Sequence, residues 1–129
     1  MAVEGGLAGI HEILGGLVVV AFIVMAILAA VAAAGRDIPW IRQWSFVASG
    51  LLLLQYLLGV LLLANRYTNT RSHIAIALLV LVPVALQHSS MRRLSSQSRA
   101  VALLIWALAA AVLSIIAYMT GLAGAGVPA

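Results

Sequence analysis

The sequence contains no cysteine and no lysine. Without cysteine there is no disulfide, no thiolate metal centre and no cysteine nucleophile, and all 7 basic residues are arginine. Charge of either sign is scarce: charged residues make up 8% of the 129 positions against 65% hydrophobic residues, and the mean hydropathy is +1.20. No water-soluble domain can hide that much apolar surface, so the composition is that of a membrane protein. The formal net charge of +4 is scattered over the ends of apolar runs. No basic run interleaved with aromatics is present, which argues against a nucleic acid partner. A basic leader is lacking as well: "MAVEGGLAG" carries Glu4 where a signal peptide is positive, and the apolar run that follows is too long. The first segment is therefore expected to be a permanent span.

What is there in quantity is leucine, alanine, valine and isoleucine, in four uncharged stretches at 13–34, 45–64, 72–91 and 100–121. Each is long enough, or nearly so, for a hydrocarbon core of ~30 Å, which takes roughly 20 helical residues. The alternation of a membrane β-barrel strand is absent, and backbone polar groups cannot stay unpaired in lipid, so the expected class is all-α. The expected architecture is a single integral membrane domain over residues 1–129, an up-down-up-down four-helix bundle with helices at about 7–34, 39–64, 69–91 and 98–121. Gly35 is placed to end the first helix in a left-handed cap, Asp37 and Pro39 to open the second, and the hydroxyl and amide side chains of "YTNT" to cap the third. Pro83 should kink the third helix, because its ring displaces the carbonyl of Leu79.

Arginine sets the orientation. Arg36 and Arg42 lie between the first two segments, and Arg92, Arg93 and Arg99 between the last two, whereas only Arg66 and Arg71 lie on the opposite side. The positive-inside rule then puts both termini away from the cytoplasm. Trp40 and Trp44 fall at the cytoplasmic interface, as belt aromatics do.

Two short stretches, "GIHEILGG" and "TRSHIAIA", each place a histidine, His11 and His73, near the start of a helix that runs inward. The first and third helices of such a bundle are parallel and face each other across its axis, so the two imidazoles reach one depth from opposite sides. Six-coordinate haem iron requires that arrangement. Gly15 and Ala77 follow four residues after each histidine, where a porphyrin edge needs small neighbours. Gly59 in the second helix falls roughly 8 Å below the outer end, near the ring level, by the rise of ~1.5 Å per residue. Arg66, Tyr67 and Arg71 lie above it, where propionates find cationic and hydrogen-bonding partners. Beside this stands the ordinary role of an interfacial histidine as an amphipathic end residue. An unpaired buried imidazole costs free energy that a metal or partner offsets, which favours ligation.

Other polar positions admit plainer roles. His88, at the cytoplasmic end beside Arg92 and Arg93, reads as an interfacial residue, with a second haem or an anionic lipid headgroup as alternatives. Gln55, Tyr56 and Ser114 fall mid-span and are expected to hydrogen-bond between helices, with quinone contact as the other use. Met25 and Met119 are expected as filler, the alanine-rich parts of the first and last helices as close helix contacts, and the leucine-rich second helix partly as lipid contact.

The histidine near the start of one inward-running helix, the second in the next parallel helix, "LLQYLLGVLLL" between them and "SHIAIALLVLV" at the second together resemble one four-helix half of the haem A synthase family. The resemblance implies a bis-histidine haem b cage on His11 and His73. It does not extend to haem A synthesis: where that family carries a Glu before and an Arg after the first histidine, this sequence has Ala8 and Glu12, the cysteine pair of many members is missing, and the chain is half the length.

The expected function is a membrane b-type cytochrome: an electron-transfer or haem-carrying subunit of a larger respiratory or photosynthetic complex, holding one low-spin haem b. The expected setting is a prokaryotic inner membrane, with lipid, other membrane subunits or further copies of the chain as partners and quinone as a further candidate. The alternative is a haem-free structural subunit that fills space between larger membrane proteins. Proton or solute transport ranks last, because the ionisable residues lie near the segment ends.

Overall fold

The computed structural model describes residues 2–67, 69–90 and 96–124, and the side chains among them other than those of 2–5, 90 and 96. All secondary structure among these residues is helical: α1 (Ala2–Ala33), α2 (Ile41–Ala64), α3 (Arg71–Leu79), α4 (Leu81–Ser90) and α5 (Ser96–Gly124). Helix α3 and α4 are one span interrupted at Val80. Four stretches, Gly6–Ala33, Ile41–Ala64, Arg71–Ser89 and Gln97–Gly124, are long and apolar enough to cross a membrane by length and composition. Large apolar side chains cover the outside of all four, with Ile13, Val60, Leu53 and Met119 each more than half exposed, as lipid-facing surfaces require.

Local chemistry explains the ends. Helix α1 stops at Gly35, whose φ of +89° is the left-handed conformation, with its N–H donating to Ala32 and that of Arg36 to Val31. Helix α2 ends in the same pattern, Arg66 N–H to Leu63 and Tyr67 N–H to Leu62, but Arg66 takes the left-handed place at φ 62°. Trp40, rather than Asp37 or Pro39, precedes the first residue of α2, without a side-chain cap. Thr70 caps α3 by accepting from the His73 N–H at 3.3 Å. Pro83 has no N–H for the Leu79 carbonyl, and the chain answers one residue later: the Val80 N–H is shared between the Ile76 and Ala77 carbonyls, at 3.2 Å each. The expected disturbance is a local interruption at Val80, which keeps helical dihedrals and its bond to Ile76.

Helix α1 packs along both α2 and α5, and α3 and α4 pack on α5. Contact pairs climb one helix while they descend its neighbour: Trp44 donates to the Ala21 carbonyl at 3.0 Å and Gln55 meets His11 at 3.2 Å. One core cluster gathers Val18, Phe22, Leu52, Val80, Val84 and Ala110, and a second gathers Met25, Ala29, Leu103 and Ala107. Met25 is the filler expected of it, fully enclosed, whereas Met119 is exposed. The buried alanines, Ala29, Ala107 and Ala110 among them, line the seam between α1 and α5 and permit its close approach. Side chains alone tie α2 to α3 and α4: the Tyr56 hydroxyl donates to the Ala77 carbonyl, Gln87 Nε2 to Ser45 Oγ at 2.7 Å, and Ser49 Oγ lies 3.0 Å from His88 Nε2. Trp44 is thereby a packing residue that pins α2 to α1, and Trp40 remains exposed.

Candidate functional site

The depth of His73 is fixed by its cap. Thr70 sets the first turn of α3, and its backbone N–H in turn donates to Asn69 Oδ1 at 2.6 Å, while Asn69 Nδ2 reaches the Gly121 carbonyl at 3.5 Å. The His73 ring lies against α5. Its Nδ1 donates to the Ala117 carbonyl at 2.8 Å, which leaves Nε2 with a free lone pair. Gly121 makes room for the ring: a Cβ there would come within 2.9 Å of His73 Cε1 and 3.1 Å of Nδ1.

His11 enters from α1 and meets α2. Its Nε2 lies 3.2 Å from Gln55 Nε2, and its Nδ1 is buried with no partner. The two imidazoles converge, with ring centres 6.4 Å apart and planes at 83°. Transition-metal bonds to imidazole nitrogen of ~2.0–2.1 Å, with ~1.1 Å from each nitrogen to its ring centre, put two rings that share one ion from opposite sides ~6.3 Å apart. The observed 6.4 Å is close to that figure, and with planes at 83° it is equally the spacing of an edge-to-face ring contact.

The histidines line a cavity of about 500 Å³ with walls from every span, among them Val18, Leu52, Gly59, Ile74, Ser114 and Tyr118. Its size suits a cofactor. Val60, Leu63 and Leu78 line it while keeping substantial outer exposure, so the α2 and α3 rims meet the apolar surroundings. Three buried polar atoms without partners, His11 Nδ1, Gln55 Oε1 and Ser114 Oγ, belong to residues of this lining. Buried polar atoms without partners are uncommon in folded proteins.

The sequence-derived residues distribute unevenly. His11, His73, Gly15, Ala77, Gly59 and Tyr67 all line the cavity. Arg66 and Arg71 are exposed at the same end, outside that lining. Gly15 and Gly59 have a use that sequence reasoning missed: a Cβ at Gly15 would lie 3.0 Å from Gln55 Nε2 and 3.2 Å from Tyr118, and one at Gly59 would lie 3.3 Å from His11 Cε1. They admit side chains. Ala77 supplies its carbonyl to Tyr56. Gln55 and Tyr56 make the interhelical bonds expected of them, whereas Ser114 does not. The fourth span was overlooked: Ala117, Tyr118 and Gly121 shape the His73 side, and the four-residue spacing of Ala117 and Gly121, small residues on one face, was the available signal.

At the opposite end, His88 bonds Ser49 and stacks on Phe46 with ring centres 5.6 Å apart, and the Arg42 guanidinium lies 5.8 Å from the Phe46 ring centre. Arg92 and Arg93 lie outside the described residues. No group of three or more His, Cys, Asp or Glu side chains that could hold a metal ion converges among the described residues. Comparison with protein-family models, with curated proteins and with solved structures found no match.

Proposed function

We propose that the chain is a membrane b-type cytochrome, with His11 and His73 as the axial ligands of one low-spin haem b. The observation that supports this reading is the convergence of two imidazoles, ring centres 6.4 Å apart, on one cavity of about 500 Å³. Two imidazoles are too few donors for a closed protein metal site, and a tetrapyrrole supplies the other four. The donor set therefore fits the group. When bound, haem b supplies reversible one-electron transfer.

The protein's part is to hold and tune. The Ala117 carbonyl holds the His73 ring by its Nδ1–H and leaves the Nε2 lone pair unengaged. Val18, Leu52 and Ile74 give it apolar walls. Tyr67 at the mouth, with Arg66 and Arg71 outside it, offers hydrogen-bond and cationic partners for propionates. In this reading the bundle is up-down-up-down, both termini face away from the cytoplasm of a prokaryotic inner membrane, and the outer leaflet holds the site. The partners are lipid, other membrane subunits or further copies of the chain, with quinone as a redox partner. The resemblance to haem A synthase contributes the two ligand positions and no catalytic step.

A second reading, a haem-free spacer between larger membrane proteins, draws on the bonds from His11 to Gln55 and from His73 to Ala117, which already work as interhelical clamps. One experiment separates the two. Protein purified in detergent from a haem-replete host should show a Soret band, sharp paired visible bands on reduction and one haem per chain in a pyridine haemochrome assay. His11→Ala or His73→Ala should each remove the colour, and His88→Ala should keep it. A colourless wild-type preparation leaves the spacer.

A further inference from the structure

The two histidines are alike in tautomer and unlike in freedom. His73 donates from Nδ1 to Ala117 and keeps the Nε2 lone pair free. At His11 the neighbour of Nε2 is an amide nitrogen, Gln55 Nε2 at 3.2 Å. An amide N–H only donates, so His11 Nε2 accepts and its proton resides on Nδ1. The lone pair of His11 that a metal would take is thus engaged by Gln55.

This engagement is built into the packing. Gln55 Nε2 sits in a notch of α1 that exists because residue 15 is glycine, and the His11 ring lies against Gly59 on the other side. The arrangement also leaves two buried atoms without partners, His11 Nδ1 and Gln55 Oε1. A contact retained at the expense of two unsatisfied buried groups makes poor sense as a stabilising clamp alone.

We propose that Gln55 is a positioning residue for the first haem ligand: in the cofactor-free protein its amide donates to His11 Nε2, holds the ring in the ligating tautomer and reserves the coordination position until a metal displaces it. The proposal rests on the cytochrome reading. It assigns Gln55 two opposed effects, preserving the correct lone pair and competing for it. Leucine at position 55 has nearly the same size and removes the competing donor. Glutamate at that position, when ionised, can only accept, so it draws a proton onto His11 Nε2 and blocks the ligand atom.

The test uses full-length protein in detergent micelles, free of haem, with ¹⁵N-labelled histidine. Wild type should show His11 protonated at Nδ1, with a hydrogen-bonded, unprotonated Nε2. Gln55→Leu should move the Nε2 resonance to that of a free lone pair, and Gln55→Glu should transfer the proton to Nε2. Hemin titration should then give about three- to tenfold tighter binding for Gln55→Leu, the equivalent of one net hydrogen bond, and weaker binding for Gln55→Glu. Opposite signs are what a merely structural residue would not produce. If wild type binds hemin but His11 carries its proton on Nε2, or both variants shift affinity in one direction, the role of Gln55 is overturned and the cytochrome stands. If wild type takes up no hemin at all, the cytochrome reading falls and this proposal falls with it.

Discussion

The two ends of the bundle use similar side chains to different effect. At one end α2 contributes Gln55, which meets His11, and Tyr56, which bonds Ala77. At the other it contributes Ser45 and Ser49 opposite Gln87 and His88. The second end is cross-linked: Ser45 and Gln87 are fully buried and bonded to each other, with only Gln87 Oε1 left over, and His88 is bonded and stacked. The first encloses about 500 Å³ and holds three of the four buried side-chain atoms without partners among the described residues. A histidine between helices is thus no marker of a site by itself. What distinguishes His11 and His73 from His88 is glycine on the facing helix, Gly59 and Gly121, which lets each ring seat against backbone and leaves space beside it.

The sharpest way to break this contrast is Gly121→Ala. The new methyl would meet the His73 ring at 2.9 Å, so ring or helix must move, with a cost of about 1–3 kcal/mol by overpacking. Loss of hemin binding should exceed the loss of thermal stability. Unchanged hemin affinity would show that the ring seat does not define the site. Gly59→Ala, with its closest approach of 3.3 Å, should follow in the same direction at smaller size.

At the cross-linked end, Gln87→Ala leaves Ser45 without its bonded partner and should lower stability by about 1–3 kcal/mol in chemical or thermal unfolding, while hemin binding stays at the wild-type value. A parallel loss of hemin would mean that the two ends are not separable. Tyr56→Phe removes the bridge from α2 to Ala77 and should lower stability by ~0.6 kcal/mol, the typical worth of such a bond between membrane helices.

Arg66→Gly should have an effect of similar size and opposite sign. Arg66 and Gly35 occupy the same left-handed place after their helices, so glycine should relieve strain and raise the melting temperature by the equivalent of about 0.5–1 kcal/mol. If hemin affinity falls while stability rises, the Arg66 side chain acts at the cofactor. If both rise, it does not.

Much of the scaffold was legible before any coordinates. Gly35 and Thr70 act through their own backbone neighbourhoods, and Pro83 disturbs its helix because it lacks an N–H, so these need only local sequence. The meeting of His11 and His73 was legible too, because helix rise and loop shortness fix depth. The seating of those rings was not. Gly15 and Gly59, expected as clearance for a cofactor, line the cavity and also admit Gln55 and the His11 ring, and Ser114, expected as an interhelical donor, has no partner among the described residues. Both depend on which face each helix turns toward its neighbours, and in a helix apolar all round no hydrophobic stripe announces that face.

Composition and run length by themselves determined that this chain forms apolar helices of membrane-crossing length, because lipid leaves the backbone no other way to pair its polar groups. Tertiary structure alone decided which residues touch the imidazoles, why the cavity lies at one end, and that Gln55 holds the nitrogen of His11. Rotation of each helix about its axis is set by the summed packing of many near-equivalent side chains, and no single residue in the sequence carries it.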